Sequence, residues 1–118
     1  MNTILDINIP VGGNQIVSKY QLNVKDTDLE YVQGITDINV PILMEVLQER
    51  IKQERKWGQQ NHDPLKWNAI LGEEFGEVSK AILEGDIKNY RDELIQVAAV
   101  AIAAIDSLDR MKTGEITS

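Results

Sequence analysis

Between residues 86 and 111 the chain offers one continuous helical stretch, and its middle, residues 97–105, reads Val-Ala-Ala-Val-Ala-Ile-Ala-Ala-Ile without a polar side chain. A helix that is apolar on every side cannot lie on a surface and has to be surrounded. The run is about half of the ~20 residues needed to cross a bilayer, so its cover is protein and not lipid. Two more helical patterns precede it. Asn39 is placed to cap the first, Pro41 suits its opening turn, and Ile42, Leu43, Val46, Leu47 and Ile51 recur at helical spacing through Lys56. The second is expected over residues 66–84, stopped by Gly85, with residues 58–64 as the loop between them. Three helices make a thin wrapping for so apolar a segment. The expected fold is therefore all-α, a helical bundle completed by oligomerisation as a homodimer or homotetramer.

The N-terminal third has a different rhythm. Leu5, Ile7, Ile9 and Val11 alternate, Gly12-Gly13-Asn14 breaks the run, and residues 16–24 resume a looser β-branched pattern. This predicts a β-hairpin, which is marginal on its own in water and must dock, pair with a second chain or stay mobile. Residues 26–39 contain turn formers with little periodicity and read as a connector. The expected division is thus an extension over residues 1–38 and a helical domain over residues 39–118. The first residues have neither the basic start nor the apolar run of a secretory signal, and a soluble, cytoplasmic protein without membrane association is expected. With 12 basic against 19 acidic residues and a net charge of -7, nucleic acid is an unfavourable partner. The absence of cysteine excludes disulfides, thiolate zinc sites and cysteine nucleophiles.

Chemistry is concentrated in two helices. On the second, Glu74 falls between Ile70, Val78 and Ala81, inside the apolar stripe, and Glu77 lies one turn on at its edge, while Glu73 points outward. A carboxylate in that setting costs several kcal/mol in desolvation unless a cation, donors or a proton compensates. On the third helix Glu93 and Gln96 share a face with Val97, Val100 and Ala104. If the two helices pack antiparallel, three carboxylates and one amide oxygen converge. Hard oxygen ligands of this kind favour magnesium or manganese over zinc, and magnesium completes its shell from water and phosphate oxygens. An acidic ExxE pattern alone is most often a solvated helix face; the second pair and the apolar setting distinguish this one.

The segments Glu73-Glu74-Phe75-Gly76-Glu77-Val78 and Glu93-Leu94-Ile95-Gln96-Val97 resemble the EExxE and ExxD motifs of the MazG-like all-α nucleoside triphosphate pyrophosphohydrolases, over roughly residues 42–110. The resemblance implies an Mg2+-dependent enzyme that splits a nucleoside triphosphate, ribo- or deoxyribo-, into monophosphate and pyrophosphate by a metal-activated water. It implies metal ligation by Glu74, Glu77 and Glu93, with Gln96 where the family pattern has Asp. The amide can still coordinate but carries no charge. Glu73, free of ligation, is the residue the motif offers for orienting or deprotonating water, alongside Glu74. Gly76 is expected to let helices approach closely beside the metal, and the Ala98-Ala99 and Ala103-Ala104 pairs to let the third helix pack tightly.

The stretch from Lys52 to His62 resembles the helix end and loop beside the nucleotide in the same family. Trp57 and Trp67 are candidates for stacking on a base, Gln53, Gln60 and His62 for reading its edge, and Lys56, with Lys80, Lys88 and Arg91, for meeting phosphates. Trp67 is equally suited to core packing, and His62 to hydrogen bonding in its loop. Two other readings remain at this point: a catalytically weakened helical dimer that binds a nucleotide or a protein, and a molecule whose hairpin adds a strand to a partner's sheet.

Overall fold

A computed structural model describes residues 1–11 and 16–112, without the side chains of residues 9–11 and 16–19. The chain separates into two compact units, Met1–Val40 and Pro41–Ser118. In the first, β1 (Asn2–Val11) and β2 (Ile16–Lys25) form an antiparallel hairpin in the register Asn2↔Lys25 to Val11↔Ile16. The expected Gly-Gly-Asn turn lies outside the described residues. The pairs Thr3 with Val24, Leu5 with Leu22 and Ile7 with Tyr20 lie directly opposite each other and give one face its apolar character. Val24 is the buried member. A hydrogen bond from Thr3 Oγ1 to Asp26 Oδ1 (2.6 Å) and one from the Asp26 N–H to the Met1 carbonyl (3.0 Å) close the open end.

The presumed connector is helical. After a single 3-10 turn at Asp26–Asp28, α1 runs from Leu29 to Trp57, so Asn39 does not cap it and Pro41 lies inside it. The polar residues that suggested a loop are satisfied within the helix: Thr36 Oγ1 donates to the Val32 carbonyl (2.8 Å) and Asn39 Nδ2 to the Ile35 carbonyl (2.7 Å). Leu29, Val32, Thr36, Val40 and Leu43 supply the 3–4 spacing that the turn formers masked.

In the second unit α1 ends at Gly58, whose φ of 71° is the left-handed conformation that favours glycine. Asp63 accepts from the Lys66 N–H (2.8 Å) and Pro64 follows in the first turn, starting α2 (Pro64–Leu83). Gly85, at φ 68°, ends it. Asp86 accepts from the Asn89 N–H (3.0 Å) and starts α3 (Ile87–Lys112). The contact between α2 and α3 is built from small side chains: Ala81 and Ala99 are fully buried and Ala103 nearly so, with Val78, Val100 and Trp67. The alanine pairs thus pack as expected. Gly76 does not: a side chain there would meet nothing, so it permits no close approach within this chain. Phe75, Ile82, Leu83 and Ile87, and on α3 Leu94, Ile102 and Ile105, are exposed. No helix among the described residues is long and apolar enough to cross a membrane.

Candidate functional site

The C-terminal half of α1 stands off the α2–α3 pair and leaves a groove of about 570 Å³. Its wall on α1 is Glu49, Lys52, Gln53, Lys56 and Trp57, which fall on one helical face at spacings of three and four. Gln60 closes one end. Trp67, Ile70 and Glu74 of α2 and Gln96, Val100 and Ala103 of α3 form the floor. The register of α1 on α3 is fixed by Arg91, whose guanidinium makes a bidentate pair with Glu45 (2.9 and 2.6 Å). Arg91 thus points its guanidinium at Glu45 and lines no part of the groove. Its proximity holds the Glu45 carboxyl below the ordinary value of 4.5.

The loop carrying Gln60 and His62 is tied to α3. Arg110 donates to Asn61 Oδ1 (3.1 and 2.8 Å), to the Gln60 carbonyl (3.2 Å) and to Asp106. Fully buried Ser107 exchanges hydrogen bonds with the His62 N–H (3.3 Å) and carbonyl (3.4 Å). These tethers place Gln60 at the groove and turn the His62 ring against Trp67, with centroids 5.0 Å apart, where it lines a smaller apolar cavity instead of the groove.

The acidic end of the groove is electrostatically strained. Burial pushes the Glu74 carboxyl above its ordinary 4.5, and the charges of Glu93, Glu77, Glu73 and Glu49 push it further. Glu93 is raised in the same way, by burial first and then by Glu77, Asp92 and Glu49. No ion pair or side-chain hydrogen bond reaches Glu74, Glu77 or Glu93 among the described residues, although all three helices carry lysines or arginines. These carboxylates are within one another's fields yet unneutralised. Their donor chemistry, hard oxygens alone, fits a divalent ion of the magnesium type. The cage is not closed: among the described residues no three of His, Cys, Asp and Glu are gathered closely enough to hold a metal.

Gln53, Lys56, Trp57, Gln60, Trp67, Glu74 and Gln96 all line the groove. Glu77 is exposed and Glu93 half-buried, both flanking Glu74. Glu73 is exposed and off the groove, as the helical wheel indicates. Trp57 is open to solvent with the Lys56 ammonium 4.8 Å from its ring centroid, whereas Trp67 is only 5% exposed and packs with Val100 and Ala103. Trp67 is floor, not a free stacking face. Lys80 and Lys88 are exposed and line no part of the groove. The residue that sequence reasoning overlooked is Glu49: its side chain is 15% exposed, its nearest cation is Lys52 at 3.9 Å, and it faces Glu74 and Glu93 from α1. The signal was its position one turn before Gln53 on the same face.

No family model matches the chain, and neither a curated protein nor a solved structure is significantly similar to it.

Proposed function

We propose that the second unit is a MazG-like nucleoside triphosphate pyrophosphohydrolase that uses Mg2+, with Mn2+ as a substitute, and yields the monophosphate and pyrophosphate. The observation that carries this reading is the groove itself. Along one cavity it presents an exposed indole (Trp57), amides (Gln53, Gln60), two ammonium groups (Lys52, Lys56) and the carboxylates of Glu49, paired with Lys52, and of Glu74, which has no ion pair. A nucleotide has the same sequence of chemistries: a π-face, a polar base edge and a polyanion that needs a cation between it and acidic side chains.

In this reading Glu74, Glu77, Glu93 and Gln96 would hold the divalent ion, which when bound would neutralise charge at the phosphates and activate the attacking water. Lys52 and Lys56 draw the triphosphate along the α1 wall, and Trp57 covers the base. Ile70, Val100 and Ala103 keep the floor dry, which strengthens each polar contact above it. Glu73 lines no part of the groove, so in this reading the proton of the water would pass to a carboxylate beside Glu74 that does not hold the ion. The exposed apolar side chains of α2 and α3 support assembly into a homodimer or homotetramer, since a monomer rarely leaves so many uncovered.

A second reading, a helical dimer that binds a nucleotide without turnover, is favoured by one observation: the carboxylates do not close on a common centre and Gln96 adds no charge. Purified protein assayed against ribo- and deoxyribonucleoside triphosphates, with pyrophosphate and orthophosphate measured separately, decides between them. Pyrophosphate release that requires Mg2+ and is lost in Glu74→Gln is expected; tight nucleotide binding with no release under any metal would leave the binding module.

A further inference from the structure

Gln53 projects from α1 into the groove, and its neighbour one turn earlier, Arg50, reaches it from outside the groove. Arg50 Nη1 donates to Gln53 Oε1 (2.9 Å), while Arg50 Nη2 is held by Glu54 Oε1 (2.7 Å). A glutamine amide in isolation can present either end, because rotating it by half a turn exchanges oxygen and nitrogen. Beside an arginine it cannot. The guanidinium has five N–H donors and no acceptor, so only the amide oxygen can face it. Arg50 is itself only 15% exposed at its side chain and clamped by Glu54, so it does not swing away. The remaining end of the amide is the NH2 group, and it makes no hydrogen bond to any described residue. Gln53 is half-buried and lines the groove, so a base seated there takes the place of the water on this NH2 group and must offer it an acceptor.

We infer that Gln53 is a specificity-determining residue that selects nucleotides whose base offers a carbonyl oxygen to the groove, and disfavours those that offer an exocyclic amine at the same place. The inference rests on the nucleotide reading of the groove but not on hydrolysis. Uracil and cytosine differ by that exchange at C4 together with the adjoining N3–H, and hypoxanthine and adenine at C6 together with N1–H, so each pair tests it without changing ring size. An amine set against the Gln53 NH2 places donor against donor and leaves both unpaired.

The experiment is a set of dissociation constants for the non-hydrolysable α,β-methylene analogues of UTP, CTP, ITP and ATP, measured in Mg2+ so that the cation the triphosphate needs is present and turnover plays no part. Wild-type protein is expected to favour UTP over CTP and ITP over ATP by about tenfold or more, the range that one unmet buried hydrogen bond commands. Gln53→Glu, which turns two donors into acceptors, is expected to reverse both preferences. Arg50→Met keeps the length of the side chain but releases the amide, and is expected to bring both ratios close to one while at least one nucleotide keeps its wild-type affinity. Ratios near one in the wild type, or ratios unmoved in both variants, overturn the inference whether or not the protein hydrolyses anything. Binding with the expected preference but without pyrophosphate release in Mg2+ would sink the hydrolase reading alone.

Discussion

The sharpest quantitative test of the groove lies in the two tethers that hold its loop. Arg110 is 12% exposed at its side chain and spends its guanidinium on Asp106, Asn61 and the Gln60 carbonyl. Hydrogen bonds to a charged donor contribute about 1.5–3 kcal/mol each, but those sharing one side chain do not add, and Asn61 is exposed and regains water when the arginine is lost. The Gln60 carbonyl carries most of the penalty. Arg110→Ala is therefore expected to destabilise the second unit by about 2 kcal/mol, and Arg110→Lys, which keeps the charge and loses the fork, by about half of that. For a unit of this size the first figure corresponds to a fall in Tm of roughly 8–16 °C. Ser107→Ala removes the longer bonds to His62 and is expected to cost about 1 kcal/mol, and the double variant less than the sum because both tethers act on one loop. Urea unfolding followed by circular dichroism measures all four, with an unchanged m-value as the sign that the unfolded state is not what moved. A loss below about 0.5 kcal/mol in Arg110→Ala would refute the claim that this network holds the loop in place.

Three further outcomes follow from the acidic end and its support. Glu74 and Glu93 have carboxyl pKa values raised above 4.5 in the folded chain, so folding disfavours their ionised forms. Their contribution to stability is full below 4.5 and is lost as pH rises through the folded values; in chelator, the urea midpoint should fall over that range, and Glu74→Gln should flatten the decline. A slope unchanged by the substitution would assign the pH dependence to other groups. Gln96→Asp adds a further carboxylate at a position where an amide faces the groove, and is expected to lower Tm in chelator while enlarging the rise in Tm that Mn2+ produces; a smaller rise would exclude this corner as the metal site. Ala99→Leu forces a larger side chain into a fully buried alanine contact between α2 and α3, and is expected to cost about 1–3 kcal/mol by the same urea assay.

Much of this arrangement was legible in the sequence because it depends on period and on punctuation. The end of α2 and the start of α3 follow from Gly85 and Asp86, whose roles are local, whereas Asp63-Pro64, read as loop, starts α2 two residues before the expected Lys66; the hairpin follows from alternation over residues 5–11. The direction of Glu74 follows from the wheel, since a stripe of Ile70, Val78 and Ala81 leaves it nowhere else to point. What stayed hidden was non-local or ambiguous. Residues 29–40 carry a helical stripe, but Thr36, Asn39 and Pro41 are residues whose propensities favour turns, and only the back-bonds to Val32 and Ile35 show how the helix accommodates them. Glu49 lies on a different helix from the carboxylates it faces, so no spacing within one element could pair them. The same holds for Arg91, which looked free until Glu45, far away in sequence, was found to occupy it.

Pro41 has a consequence for how this molecule opens. It has no N–H, so α1 is missing one rung of its hydrogen-bond ladder, the one that would reach back to the Asp37 carbonyl, and the gap coincides with the boundary between Met1–Val40 and Pro41–Ser118. A helix that is continuous along its length is therefore weakened locally at that rung. Opening of the hairpin segment need not propagate past residue 41, and the face of α1 from Glu45 to Trp57 keeps its protection because the Glu45–Arg91 pair and the packing of Val46 belong to the other segment. Amide exchange along this one helix would then fall into two classes divided at the proline, fast before it and slow after it.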